Sequence, residues 1–458
     1  MPSQGQALLV ESVRKLLRRN AERNLIKILR RAHPADIAAV LRQLEDRDVL
    51  RLFQLVPDIE ERGEILAEAD PGIALSILES LADEDIVEII EGMNGDDAAD
   101  ILELLPEQRA SAIIGALEDE DATYVDTLLG YAPDSAGGIM SPDVFALPRR
   151  TTVREAIETL QASHEELEMA FYLYVVNEHG HLVGVCSLRQ LVVSAPDATL
   201  DEIMETDVTS VTTDTDQEVV AKLVARYNYL AIPVTDDANR LVGIVTVDDV
   251  IDVIKEEATE DMLMMAGAGG DIDNAQSAFA SARLRMPWLL ASFFGGLGSM
   301  VIIRVFEATL LQVAALAAFI PITLGMGGNV GTQAATLVTR GIALGKVNTE
   351  QFVAVIGREV ATGALLGAIY GVVLALVASL VYADAAAVTS WHAWQLAATV
   401  SLGVAACMVI AAFVGGAFPL LFERLGIDPA IAAGPFVTTS VDILGITIYF
   451  MIGSLLLL

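Results

Sequence analysis

Hydrophobic positions follow three different spacings along this chain. Over residues 33–129 they recur at i, i+3 and i+4 in short phrases: HPADIAAVLRQL, LADEDIVEIIEGM, MNGDDAADILELL and PEQRASAIIGAL. Each phrase puts Asp, Glu or Pro at a helix start, which predicts short helices stacked as a small α-solenoid. Residues 171–191 (FYLYVVNEHGHLVGVCSLRQL) and 229–250 (YLAIPVTDDANRLVGIVTVDDV) both read strand, turn, strand, helix start, with Gly184 and Gly243 in matching places. They form an internal repeat of a β-turn-β-α unit. A helical stretch over 248–265 leads to five long apolar segments, 287–306, 311–335, 352–382, 394–422 and 430–457. Each reaches the roughly 20 residues needed to cross a bilayer. A basic amphipathic stretch, residues 1–31, precedes everything, with Arg14, Lys15, Arg18, Arg19, Arg23, Lys27, Arg30 and Arg31; it suits contact with an acidic body or with anionic lipid headgroups.

Charge sharpens this division. The 458 residues carry a formal charge of −34, and the first 283 hold 55 Asp and Glu against 22 Lys and Arg. Such a region repels itself unless counter-ions or bound cations offset the charge. An apolar fraction of 53% and a mean hydropathy of +0.52 exclude an ordinary soluble protein. Cys186 and Cys407 lie far apart and form no zinc or disulfide framework. The amino terminus has no cleavable leader pattern, so the acidic part is expected to stay in the cytoplasm. Arg283, Arg285, Arg340, Lys346, Arg358 and Arg424 fall at span ends on the same side as that part. The other side shows Arg304 beside Glu307 and a loop with Asp384. The positive-inside bias therefore places the amino terminus in the cytoplasm and the carboxyl terminus outside.

Candidate chemistry sits in three places. Asp96 and Asp100 are four residues apart on one predicted helix face, where like charges repel. Asp249, Asp252, Glu256 and Glu260 make an acidic stripe on the helix that leads to the membrane. Helix caps and solvated faces account for many such acids, and shared divalent cations are the alternative. Inside the membrane, the second span reads PITLGMGGNVGTQAAT, whose Pro321 and glycines are expected to weaken a helix, with Asn329, Thr332, Gln333 and Thr336 as oxygen ligands. The last span reads AAGPFVTTSVD, with Pro435, Thr438, Thr439 and Asp442. A mid-bilayer carboxylate costs about 2.5–3.5 kcal/mol and marks an ion path or proton relay, and no Lys, Arg or His in that span can pair with it. Oxygen ligands without thiolates or imidazoles favour Mg2+, Ca2+ or Mn2+. One carboxylate per chain, doubled by a two-fold dimer, suits a hydrated Mg2+ best. An intramembrane metalloprotease is excluded because HEELE at His164 lacks a second histidine. An anion channel is at odds with Asp442.

Two resemblances follow from these residues. The repeat resembles a tandem CBS pair, whose second strand ends in Gly-hydrophobic-x-Thr/Ser-x-x-Asp. The second copy has Gly243, Thr246 and Asp249; the first has Gly184 and Ser187 but Gln190 in place of the acid. That resemblance implies an adenine nucleotide, ATP, near Tyr172, Arg189 and Tyr229. The whole order, with PxxxGxGGNxGxQ and TTxxD in the membrane, resembles the MgtE magnesium channel family. It implies a multi-domain homodimer with an all-α superhelical amino-terminal domain, α+β tandem CBS domains and an α-helical membrane bundle of five spans. The divisions are 1–31, a basic helix; 32–135, the acidic helical domain; 136–200 and 201–254, the CBS repeats; 248–270, a connecting "plug" helix; and 271–458, the membrane part. By the same resemblance the chain is no enzyme and binds no nucleic acid, and it works in lipid at the cell membrane on Mg2+ as substrate and regulator. Asp442 would bind the hydrated ion, with Asn329, Gly328, Thr336 and Thr438. Glu257, Glu260 and Asp261 with Asp428 would close the pore around Mg2+, and Asp96, Asp100, Asp249 and Asp252 would bridge the amino-terminal domain to the CBS pair. High cytosolic Mg2+ would hold the gate closed. A Mn2+ or Co2+ carrier and a non-conducting Mg2+ sensor are the alternatives.

Overall fold

Helices of eight to ten residues are too short to hold themselves in water and must share a core. The computed structural model describes residues 4–162, 171–268, 278–347, 351–382 and 393–458, so the expectations on His164 and Asp384, and on part of the joins, lie outside it. Two units emerge, Met1–Glu256 and Glu257–Leu458.

The first unit begins with ten helices: α1 (Gln4–Arg18), α2 (Glu22–Leu29), α3 (Pro34–Leu41), α4 (Asp46–Gln54), α5 (Ile59–Ala67), α6 (Pro71–Ser80), α7 (Asp83–Ile90), α8 (Gly95–Glu103), α9 (Glu107–Ile114) and α10 (Asp119–Leu128). Alternate helices stack, α3 on α5, α4 on α6, α5 on α7 and α7 on α9, which is solenoid packing. Pro34 and Pro71 occupy first turns, where a missing N–H costs nothing, and His33 and Asp58 accept from backbone N–H groups two residues on. Leu25, Leu52, Ile65, Ile77, Leu78 and Ile86 are fully buried in one continuous core. The stretch 1–31, expected as one basic helix, is corrected to two. Asn20 in the left-handed region (φ 51°) breaks it, and Val10, Val13, Leu17, Leu25 and Leu29 join the solenoid core.

The remainder of this unit holds β1 (Ala146–Pro148), α11 (Val153–Ala162), β2 (Tyr172–Val176), β3 (Leu182–Ser187), α12 (Leu188–Val193), α13 (Leu200–Ile203), β4 (Val211–Thr212), α14 (Gln217–Tyr227), β5 (Ala231–Thr235), β6 (Leu241–Thr246) and the first part of α15 (Val247–Met265). Two sheets share one plan, β1-β2-β3 and β4-β5-β6, with the first pair parallel and the second antiparallel. Their registers correspond: Val175 faces Gly184 and Val234 faces Gly243, each just before an irregularity. The repeats also exchange backbone. Ser141 bridges Ile244, and Glu205 bridges Val185. Both glycines have a packing reason. A Cβ on Gly184 would run into Met204 and one on Gly243 into Met140, the residues that arrive with the exchanged segments.

The second unit holds the end of α15, α16 (Ala278–Val305), α17 (Glu307–Gln312), a 3-10 turn (Ala314–Phe319), α18 (Ile320–Ala343), α19 (Phe352–Val381), α20 (Ala393–Arg424), a π-helical turn (Ala432–Phe436) and α21 (Val437–Leu457). Five helical stretches are long and apolar enough to cross a membrane. Their outward residues are large and apolar, with Val353, Leu380 and Leu455 about four-fifths exposed, which is the exterior of a protein solvated by lipid. α20 is the central post. Its Val400, Val404, Met408 and Ala411 are fully buried along with Val441, Tyr449 and Phe450 of α21. α19 lies along α20 through Gly363, Gly367 and Gly371, which face Met408, Ala405 and Ser401.

The glycine-rich passage corrects an expectation. α18 is an unbroken helix from Ile320, with Pro321 in its first turn. Gly331 is needed for close approach, since a Cβ there would stand 3.0 Å from Val437 and from Val441. Gly415 of α20 meets the Gly331 carbonyl oxygen so closely that a methyl group would overlap backbone. Gly415→Ala should therefore destabilise the membrane unit by about 1–3 kcal/mol, read as a lower unfolding temperature in detergent. The backbone departs from a helix in the fifth span, at Gly434 (φ −86°, ψ −130°), followed by Pro435.

Candidate functional site

An apolar contact brings the acids of the first unit together. Ala99 of α8 packs with Val250 and Val253 of α15 in one buried cluster, and the residues flanking these positions are Asp96, Asp97, Asp100, Asp249 and Glu256. Burial, then the charge of Asp97, pushes Asp96 up to about 6. Burial, then Asp249 and Asp100, pushes Asp97 up to about 7. Asp100 also rises to about 7, from burial, Asp96 and Glu103. Asp249 rises to about 7 from burial foremost, although hydrogen bonds from Thr246 pull it down. Glu256 is raised by burial and then by Asp252. Asp249 Oδ2 accepts from the Thr246 hydroxyl and backbone N–H, fixing it at the head of α15. One oxygen of Asp96, Oδ1, is buried without a hydrogen-bond partner. Such a group costs about 1–3 kcal/mol unless a proton, water or cation meets it.

Other expected members do not join. Asp252 turns to Lys255 at 2.6 Å, and both side chains are exposed. In the second unit Glu257 and Asp261 are half-buried and Glu260 is exposed. Asp428 Oδ1 accepts from Ala430 N at 2.7 Å, capping the chain as it enters the fifth span. Among the described residues, no three His, Cys, Asp or Glu side chains converge as a ready-made metal centre.

The membrane unit offers a second arrangement. Gly267 (φ +68°) turns the chain just after α15 ends at Met265, and a Cβ there would stand 3.2 Å from the Pro435 ring. In return Gly434 faces the carbonyl oxygens of Met264 and Met265 at 3.3 and 3.4 Å from its Cβ position. The end of the connecting helix thus rests directly on the break in the fifth span. Just beyond, the Thr438 and Thr439 hydroxyls donate to the Pro435 carbonyl oxygen at 3.1 and 2.7 Å. Asp442 lies one turn further along α21, half-buried, and makes no ion pair among the described residues. Its neighbour Val441 packs on Gly327 and Gly331 of α18. The face of α18 beside that seam is polar: Asn329 and Gln333 are exposed, Gly328, Thr332 and Thr336 are half-buried, and nothing stands within 4 Å of a Cβ at Gly325 or Gly328. A polar strip on a lipid-length helix requires water or another protein surface.

The expected nucleotide residues lie on the two β-sheet repeats. Tyr172 joins an apolar cluster that includes Val208, and the Tyr229 hydroxyl meets Thr209 Oγ1 at 3.0 Å, so the two rings flank the 208–209 segment. Arg189 is exposed at the head of α12. Gln190 is already engaged: its Oε1 caps Ser187 at 2.6 Å and its Nε2 donates to Glu205 at 3.2 Å.

Asp97 joined the cluster without being singled out in the sequence; the clue was its place between Asp96 and Asp100, while Glu256 came from the acidic stripe. A second membrane carboxylate was also missed. Glu359 of α19 is only 8% exposed, 3.3 Å from Arg358 and close against Gly416. Its signal is a lone acid one turn or two inside the third span.

Residues 320–452 match the family described as MgtE, divalent cation transporter; residues 32–134 match the MgtE intracellular N domain, and 136–196 and 200–256 match CBS domains. The chain is 36% identical over 400 residues to the magnesium transporter MgtE of Bacillus subtilis (strain 168), covering 86% of each chain. It is 34% identical over 453 residues to that of Thermus thermophilus, covering 86% of this chain and 97% of the relative. A crystal structure of the cytosolic domain of the Mg2+ channel MgtE in complex with ATP is 36% identical, with a TM-score of 0.51, covering 53% of this chain and 99% of that one.

Proposed function

This chain belongs to the MgtE family of divalent cation transporters, and from that premise we propose that it is a Mg2+ channel closed by Mg2+ on its cytoplasmic side. The observation that carries the reading is Asp442, an intramembrane carboxylate without an ion-pair partner among the described residues, one turn past a backbone break on which the connecting helix rests. A carboxylate at that depth needs a cation. Mg2+ keeps most of its waters and asks for one or two carboxylates. A second copy of the chain, related by a two-fold axis, supplies the second Asp442 and covers the polar strip of Gly328, Asn329 and Thr336.

The gate follows from the acidic cluster. Without divalent cations, Asp96, Asp97, Asp100 and Asp249 repel one another across the α8–α15 contact. Mg2+ offsets that repulsion and holds the contact, and α15 then presses on Gly434 and Pro435. Glu257, Glu260, Asp261 and Asp428 act in the same sense nearer the pore. Taking a gate from 1:99 to 99:1 requires about 5.5 kcal/mol of differential binding, which several weak sites supply together. The basic span ends support a cytoplasmic position for this machinery and an outside carboxyl terminus.

Flux into proteoliposomes, with Mg2+ titrated on the cytoplasmic face, tests this. Steep inhibition is expected; uptake indifferent to that Mg2+ removes the gate, and selective Mn2+ or Co2+ flux without Mg2+ flux removes the ion assignment. For the nucleotide, ATP is proposed between Tyr172, Tyr229 and Arg189. Because Gln190 stands where the family pattern has an acid, Gln190→Asp should tighten ATP binding about tenfold, the scale of one added charge-assisted hydrogen bond. Calorimetry on the full chain reads it, and an unchanged affinity counts against this cleft.

A further inference from the structure

The chain has 62 acidic residues against 28 Lys and Arg, and many of the bases beyond residue 31 pair with an acid. Beyond residue 31, Arg42, Arg109, Arg149, Arg154, Lys222 and Arg240 each hold a carboxylate at 2.7–3.1 Å. The α1–α2 layer is different. Its eight Lys and Arg are all exposed, against only Glu11 and Glu22. Glu22 is taken by Arg51 at 3.0 Å, and Arg14 donates to the Gln43 carbonyl oxygen. The other seven, Lys15, Arg18, Arg19, Arg23, Lys27, Arg30 and Arg31, make no ion pair or side-chain hydrogen bond among the described residues. A concentrated positive surface is thus kept free beside a strongly acidic solenoid.

The same layer holds a groove of about 510 Å³. Lys27, Arg31, Gln6 and Asp36 give it polar walls, with the Asp36 carboxylate accepting from Gln6 Nε2 at 3.3 Å; Leu9, Ile28 and Ala32 give it an apolar side, and Leu8 stands 64% exposed on the same helix as Leu9. We propose that the α1–α2 layer docks on anionic phospholipid headgroups, with the groove between Lys27, Arg31, Leu9 and Ile28 taking a single headgroup and the start of its chains. Acidic protein is a poorer match, because it offers carboxylates without the apolar portion that the groove and Leu8 accept. The mode of docking is constrained as well. Val13, Leu17, Leu25 and Leu29 are at most 2% exposed in the solenoid core, so α1 cannot roll its apolar face into the bilayer. It binds through charge, at the depth of the phosphates, and the attraction is screened by salt. The acidic remainder of the solenoid is repelled by the same leaflet, so the domain is oriented as well as held. This goes beyond the transport reading and does not depend on it.

The test compares the full chain in nanodiscs of phosphatidylcholine alone and of phosphatidylcholine with phosphatidylglycerol, reading the acetylation rates of Lys15 and Lys27 by mass spectrometry. Both lysines should react about fivefold more slowly in the anionic discs, and salt at about 0.5 M should restore the rate. Lys222, outside the layer, should react equally in both. Arg18→Gln, Arg19→Gln, Arg30→Gln and Arg31→Gln combined should abolish the difference. Equal rates for Lys15 and Lys27 in the two discs overturn the proposal, whether or not the variant folds. Protection that is the same in both lipids but grows with the number of chains per disc assigns the surface to a second copy instead, and also overturns it.

Discussion

Asp442→Asn should abolish Mg2+ uptake while leaving the purified protein folded. The substitution keeps the shape of the side chain and removes the one negative charge of α21. A neutral side chain at that depth is easier to accommodate than a carboxylate, so the unfolding temperature should hold or rise. On the proposed role, the transported ion loses its charged partner, and charge-assisted contacts are worth roughly twice neutral ones. Flux should fall by at least about a hundredfold, equivalent to about 3 kcal/mol, measured in proteoliposomes with a Mg2+-sensitive dye. Wild-type flux through the folded variant would remove Asp442 from the ion path and leave the polar strip of α18 as the place to look.

The second large effect belongs to the acidic cluster of α8 and α15. Replacing Asp97, Asp100 and Asp249 together by Asn should flatten the response of flux to cytoplasmic Mg2+ by at least about tenfold, as the switch loses several weak sites. Asn still accepts from Thr246 at the head of α15, so the fold is spared. The wild-type cluster also has a pH signature with a definite sign. Its acids stand at about 6 to 7 in the folded protein against an ordinary value of 3.8, so folding takes up protons. Without divalent cations, the contact is firmest below about pH 4 and weakens as pH rises through about 7. Added Mg2+ should reduce that slope, and the triple variant should lack most of it. Limited proteolysis of the α8–α15 region across this pH range, with and without EDTA, measures both. A slope identical in wild type and variant would place the pH effect elsewhere.

Much of the architecture was legible because it rests on patterns the bilayer and the repeat enforce. Five apolar lengths, a repeated β-turn-β-α phrase and short capped helices are local signals, and residues such as Gly184 and Gly243 mark corresponding positions even in one sequence. What escaped depended on packing. Pro321 and its glycines looked like a broken helix, yet a proline in the first turn costs little, and Gly331 serves the approach of α20 and α21. The break lay instead at Gly434, where the end of α15 needs room, a contact between residues far apart in the chain. Asp252 shared the spacing of the acidic stripe but had Lys255 within reach, and only the turn of the helix decides which acids face α8. Glu359 was obscured by Arg358, whose charge reads as a span-end signal while its neighbour is drawn inward over Gly416.

The crossed segments of the CBS pair bear on how such a protein is inherited. Ser141 completes the sheet edge of the second repeat and Glu205 that of the first, while Met140 and Met204 fill the spaces that Gly243 and Gly184 leave for them. Neither repeat is a finished object by itself, and a cut between them would strip each of a piece it borrows. Duplication could create this arrangement, but afterwards shuffling can move it only whole. The smallest transferable part is the pair, and substitutions accepted in one repeat are vetted by the fit of the other.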